Sequence, residues 1–166
     1  MQLFHWLTAI LVLAAYVLSK SDGSSLYSAD ADGLRRVHET LGVLVFFVVV
    51  LRLSWGLIDN TSVKRPASPW MDTASKLVQL ALYALLVSIP ATAVFGTWLE
   101  GIPITLIGLD IAPQIGQVQR LGQQVMDIHI ILGEAMLWVA GAHAAAALFH
   151  YFFLHDGVLQ SMLPGE

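Results

Sequence analysis

Cysteine is missing from this chain, which excludes thioether-linked c-type haem, iron–sulfur clusters and cysteine-ligated zinc. Charge is scarce as well. Asp, Glu, Lys and Arg make up 12% of the residues, against about 25% in an ordinary soluble domain. With a formal net charge of −4 there is no basic surplus, so nucleic acid is not an expected partner. The chain also lacks tandem repeats and any linker that would divide it, so residues 1–166 read as a single domain.

What the sequence has in quantity is apolar side chain, 57% of its residues. These gather into four stretches, 3–19, 37–58, 77–99 and 126–154, each near or above the roughly 17–25 residues that cross a bilayer. In lipid every span must satisfy its own backbone hydrogen bonds, and helices do so. The expected fold is therefore all-α and integral to the membrane, a four-transmembrane-helix bundle with membrane lipid as its surroundings. The first stretch has neither a basic leading region nor a small-residue cleavage site, so it reads as a retained helix rather than a signal peptide.

The connections differ in character. Residues 20–36 begin with a polar, turn-rich run and belong in water. Residues 59–75 contain Pro66 and Pro69, which preclude a continuous helix. In the third connection, 100–127, Gly and Pro interrupt an apolar first half, which is expected to lie at the membrane interface. Residues 114–124 then read as a short interfacial helix between spans three and four. Pro90, inside the third span, predicts a kink. One side of the membrane would hold Lys20, Arg35, Arg36 and Arg120, the other Arg52, Lys64, Arg65 and Lys76. With equal numbers, charge bias gives no orientation.

Histidine carries the functional signal. His129 and His143 lie 14 residues apart on the fourth span, close to four helical turns, so both rings leave one face about 21 Å apart along the axis. His5 opens the first span and His38 the second. Because consecutive spans alternate in direction, His5 shares a depth with His143, and His38 shares a depth with His129. Each histidine is followed one turn later by a small residue: Ala9 after His5, Gly42 after His38, Gly133 after His129 and Ala147 after His143. Two axial nitrogens and a slot beside them are what a flat metal–porphyrin requires. Close helix approach also favours small residues, and a lone histidine near a helix end is often just interfacial, but neither explains four such pairings. A di-zinc site is disfavoured, since each level offers two nitrogens and no carboxylate cluster.

Other residues group around this pattern. Arg35 and Arg36 flank His38, and Arg52 ends the second span; arginine suits a porphyrin's propionates at a low-dielectric boundary, although Arg52 could equally snorkel. His150, seven residues beyond His143, reads as a spare interfacial histidine or a contact for a quinone head group. His155 beside Asp156 reads as solvated. Trp6, Trp55, Trp70, Trp98 and Tyr27 suit an aromatic belt, and Trp138 suits packing within a span. A non-redox helical module with packed histidines is the alternative from a different functional class.

Along its length the chain resembles the prokaryotic cytochrome b561 family. The resemblance is carried by Phe4-His5-Trp6-Leu7, Val37-His38-Glu39-Thr40-Leu41-Gly42, Leu51-Arg52-Leu53, Leu82-Tyr83 with Pro90, and the Gly101–Leu109 segment. It continues through Ile128-His129, the string from Ala142-His143 to His150-Tyr151, and Asp156-Gly157 before Met162-Leu163-Pro164. It implies two non-covalent b-type haems, an inner one on His5 and His143 and an outer one on His38 and His129. It also implies a bacterial inner-membrane location with both termini cytoplasmic, and ubiquinone as electron acceptor. The donor it implies is superoxide, making the chain a superoxide oxidase that reduces quinone, or a periplasmic redox protein that the chain serves as electron carrier. Where several relatives carry histidine near the start of span three, this chain has Lys76 and Gln79. Asp22, Asp30 and Asp32 in the outer connection oppose capture of an anion such as superoxide.

Overall fold

The computed structural model describes residues 2–19, 32–58 and 69–155. Four long helices dominate it: α1 (Gln2–Ser19), α2 (Asp32–Ile58), α3 (Pro69–Leu99) and α4 (Gln119–Phe149). All four are long and apolar enough to cross a membrane. They extend the apolar stretches by up to about two turns; at the start of α3 the added helix carries an i,i+4 pair between Asp72 and Lys76. The polar connections at 20–31 and 59–68, with Asp22, Asp30, Pro66 and the belt residue Tyr27, lie outside the described residues, as does everything after His155.

The helices associate as two pairs. α1 runs along α2 and α3 runs along α4, with α2 touching α3, whereas α4 stands off from α1 and α2. Glycine sets the α3–α4 approach. A Cβ on Gly122 would meet the Glu100 amide nitrogen at 2.9 Å and the Gly96 carbonyl oxygen at 3.0 Å, and one on Gly96 would meet Met126 Sδ at 2.8 Å. Only hydrogen fits at Gly122, where the neighbours are backbone, while at Gly96 the Met126 side chain would have to shift; small residues bring membrane helices together in this way. α3 remains helical through Pro90. Around that proline the Ser88 hydroxyl donates to Ala84 O (2.7 Å) and the Thr92 hydroxyl to Ser88 O (2.8 Å), keeping polar side chains internally bonded.

The third connection departs from expectation. No separate helix spans 114–124. Instead, strands β1 (Ile104–Leu106) and β2 (Leu109–Ile111) form an antiparallel hairpin, an irregular stretch follows, and α4 already starts at Gln119. The polar run from Gln119 to Gln124 is helical because it is the first turn and a half of α4, fixed where Gly122 meets α3. Pro113 and Gly116 lie ahead of it, where helix is disfavoured. The hairpin turn places both Ile107 and Gly108 at positive φ, 50° and 79°. That is the primed two-residue turn whose twist matches its flanking strands.

The core is thin and lies at mid-depth. Val45, Val49, Leu86 and Met136 are its buried members, packed by Leu11, Val12, Leu82 and Ile89 among others. Met136 falls midway between His129 and His143, and Val45 seven residues beyond His38. The apolar plug therefore separates two histidine levels.

Candidate functional site

Each level holds one pair of rings. The His5 and His143 centroids are 6.4 Å apart with ring planes at 66°, and those of His38 and His129 are 6.3 Å apart at 89°. These are the two pairs that depth counting brings together. A metal–imidazole bond is about 2.0–2.1 Å and the nitrogen stands about 1.1 Å from its ring centre, so two imidazoles trans on one metal have centres about 6.3 Å apart. Ring stacking or a histidine–histidine hydrogen bond does not require that gap at both levels.

The tautomer at the hairpin end is determined by backbone. His38 Nδ1 lies 2.9 Å from Ala15 O on α1, and His129 Nδ1 lies 2.9 Å from Ile89 O on α3. A carbonyl only accepts, so each Nδ1 carries the proton and each Nε2 keeps its lone pair. This is the outer-shell arrangement that orients metal-bound imidazoles. Sequence reasoning missed both carbonyls, since a backbone acceptor has no residue signature. Among the described residues no such carbonyl partner is present for His5 or His143.

The small residues divide by surroundings. Gly42 and Gly133 are half-buried, yet a Cβ on either would meet nothing within 4 Å. They border open space, unlike Gly96 and Gly122, where helices touch. Close helix approach thus explains the second pair and not the first; the first fits a slot beside the histidines. Ala147 is half-buried on the same side, whereas Ala9 is exposed at the flank of α1.

The arginines differ in their partners. Arg52 lies near enough to act electrostatically on both His5 and His143, and its guanidinium carbon stands 5.4 Å from the centre of the Tyr83 ring. Its Nε is buried with no hydrogen-bond partner. A half-buried arginine with an unused Nε donor near a histidine pair suits an anionic group held there. At the other end, Arg35 Nη1 bonds Glu39 Oε1 at 2.8 Å, with both side chains 12% exposed, and Arg36 pairs with Asp110 at 3.0 Å. Glu39 Oε2 also accepts from the Thr105 amide (2.8 Å), and the Thr105 hydroxyl donates to Asp110 (2.7 Å). Through these bonds the hairpin is tied to the first turns of α2, next to His38. The i,i+4 spacing of Arg35 and Glu39 was legible; the contact with a hairpin 66 residues away was not.

His150 ends α4. There the backbone widens into a π-helical turn, His150–Leu154, in which the His155 amide donates to His150 O at 2.8 Å. Such turns recur at functional sites. The His150 ring is half-buried. Glu100, beyond the end of α3, has its carboxyl pushed above the usual range by burial.

Comparison with known proteins gives the family. The family model described as "Prokaryotic cytochrome b561" matches residues 1–165. The chain is similar to "Cytochrome b561 homolog 1" of Escherichia coli (strain K12), 24% identical over 96% of this chain and 92% of that protein. To "Cytochrome b561 homolog 2" of the same strain it is 27% identical, over 96% and 87%. To the "Probable superoxide oxidase CybB" of Yersinia pestis it is 26% identical, over 96% and 91%.

Proposed function

We propose a transmembrane relay of single electrons for this chain, which belongs to the prokaryotic cytochrome b561 family. Membership makes it a haem-binding membrane protein of electron transport. Our reading adds two b-type haems, one between His5 and His143 and one between His38 and His129. It puts the hairpin end at the periplasmic face of a bacterial inner membrane, both termini in the cytoplasm, and ubiquinone as acceptor. The observation that carries it is the pair of ring separations, 6.4 and 6.3 Å, each the width of one metal between two imidazoles.

When bound, each haem would be held by its histidine pair and would supply reversible exchange of one electron. The residues supply the rest. Ala15 O and Ile89 O hold the His38 and His129 rings with Nε2 presented. Gly42 and Gly133 keep the slot clear. Arg52 offers its spare donor to a propionate. Arg35 and Arg36 serve the other level while bonded to Glu39 and Asp110, since a guanidinium has five donors. Val45, Val49, Leu86 and Met136 exclude water between the levels. His150 is the contact offered to the quinone head group.

The donor we favour is superoxide. Two superoxide anions each lose one electron to become dioxygen, and the quinone takes two electrons and two protons to become quinol. The name of the Yersinia pestis relative supports this donor. A periplasmic redox protein as donor is favoured by a different observation. Arg35 and Arg36, the two arginines beside His38, are already paired with carboxylates, which weakens the field that would steer an anion inward. Stopped-flow spectroscopy of the purified holoprotein with a quinone acceptor separates the two. Haem reduction by superoxide faster than spontaneous dismutation, followed by quinol formation, is expected; reduction no faster than that background would leave the protein donor.

A further inference from the structure

The hairpin turn contains an anomaly. Ile107 has φ of +50°, a conformation that costs a β-branched residue strain and that Asn or Gly would adopt readily. Its side chain is nonetheless 73% exposed, as is that of Leu109 two residues on. A strained backbone presenting bare apolar side chain calls for a partner outside the described fold.

Position identifies that partner. Ile107 and Gly108 face Val37 and Leu41 of α2 across an open groove of about 330 Å³. Both α2 residues lie inside the membrane-crossing window Gly33–Gly56, and Val37 is itself exposed on the flank of α2 that continues through Phe47 and Leu51. By helical phase Phe47 and Leu51 point away from His38, while Val37 and Leu41 lie about 100° and about 60° from it. The turn therefore lies on a flank of α2, level with the first turns of a span.

The backbone is prepared for such a place. Thr105 N and Ile107 N donate to Glu39 and to the Thr40 hydroxyl, and the strands pair from Leu106↔Leu109 to Ile104↔Ile111. Lipid requires amides to be satisfied, and along the edge that faces α2 these two are. On the other edge Asp110 is held by Arg36, which keeps the charged part of the hairpin at the headgroup level.

We infer that the tip of the hairpin, Ile107 with Leu109, is inserted into the phospholipid leaflet at that end of the bundle, and that an acyl chain fills the groove against Val37 and Leu41. The hairpin is then a membrane-seated brace on the first turns of α2, and not a docking loop for a protein donor.

Because the chain has no cysteine, Ile107→Cys introduces a single thiol. Spin-labelled holoprotein in phosphatidylcholine vesicles would be probed by power saturation with oxygen, which concentrates in lipid, and with a neutral nickel chelate, which stays in water. The expected result is a label at 107 relaxed several-fold more by oxygen than by nickel, with the reverse at Gln114→Cys, on the exposed connection. Leu109→Cys provides the same readout should Ile107→Cys not fold. Nickel access at the tip equal to that at 114 would overturn the inference. So would a label shielded from both reagents, which would mean protein contact. The readout does not depend on haem loading or on the identity of the electron donor.

Discussion

Glycine is where the account is most exposed at the scale of single residues, because two sets of glycines do opposite things. Gly133 borders open space beside His129, while Gly122 is pressed against α3. Gly133→Leu should therefore fill the slot, displacing the haem at the hairpin end and leaving helix content unchanged by circular dichroism. Gly122→Ala should instead loosen the α3–α4 contact by about 1–3 kcal/mol, as overpacking does. It should lower the unfolding midpoint without abolishing a haem site. Retention of full haem content by Gly133→Leu would show that the open space is not a haem slot. From sequence the two sets look alike, since a glycine one turn from a histidine and a glycine at a helix crossing carry the same letter. The histidines were legible because four of them at two depths form a pattern. The carbonyls of Ala15 and Ile89 were not, because any residue supplies one.

Single elements bring in the hairpin, whose attachment depends on protonation. The Asp110 carboxyl is held below the usual aspartate range, chiefly by the Thr105 hydroxyl, against some desolvation, with help from Arg36 and then Arg35. Its folded value lies below its unfolded one, so ionised Asp110 strengthens docking above the ordinary aspartate pKa of about 3.9. That contribution is lost as pH falls through the lowered value. Hydrogen exchange, corrected for intrinsic rate, should show protection of residues 104–111 dropping over that acidic window while the four helices stay protected. Asp110→Asn should be less protected at neutral pH and flat across the window; an unchanged profile would separate Asp110 from hairpin docking. The four long helices followed from apolar length. The hairpin did not, because Ile-Thr-Leu-Ile-Gly-Leu is too short to distinguish strand from interfacial coil, and its pairing depends on Glu39 and Arg36, far away in sequence.

For the whole molecule, α4 is the shared wall: it packs on α3 and stands away from α1 and α2, meeting them through His143 and His129. An apolar plug at mid-depth then divides two histidine levels about 21 Å apart along α4 at 1.5 Å per residue. Alternation of helix direction made this layout readable from the sequence, whereas the identity of an electron donor is a matter of surface chemistry that spacing does not encode. The central claim is that each histidine pair holds its own haem, and haem content per chain tests it most directly. Purified wild-type protein should carry two b-type haems with a low-spin spectrum, and His143→Leu should carry one, with the His38/His129 haem retained. One haem in the wild type, or loss of both on replacing His143 in a chain whose helices remain folded, would contradict the account.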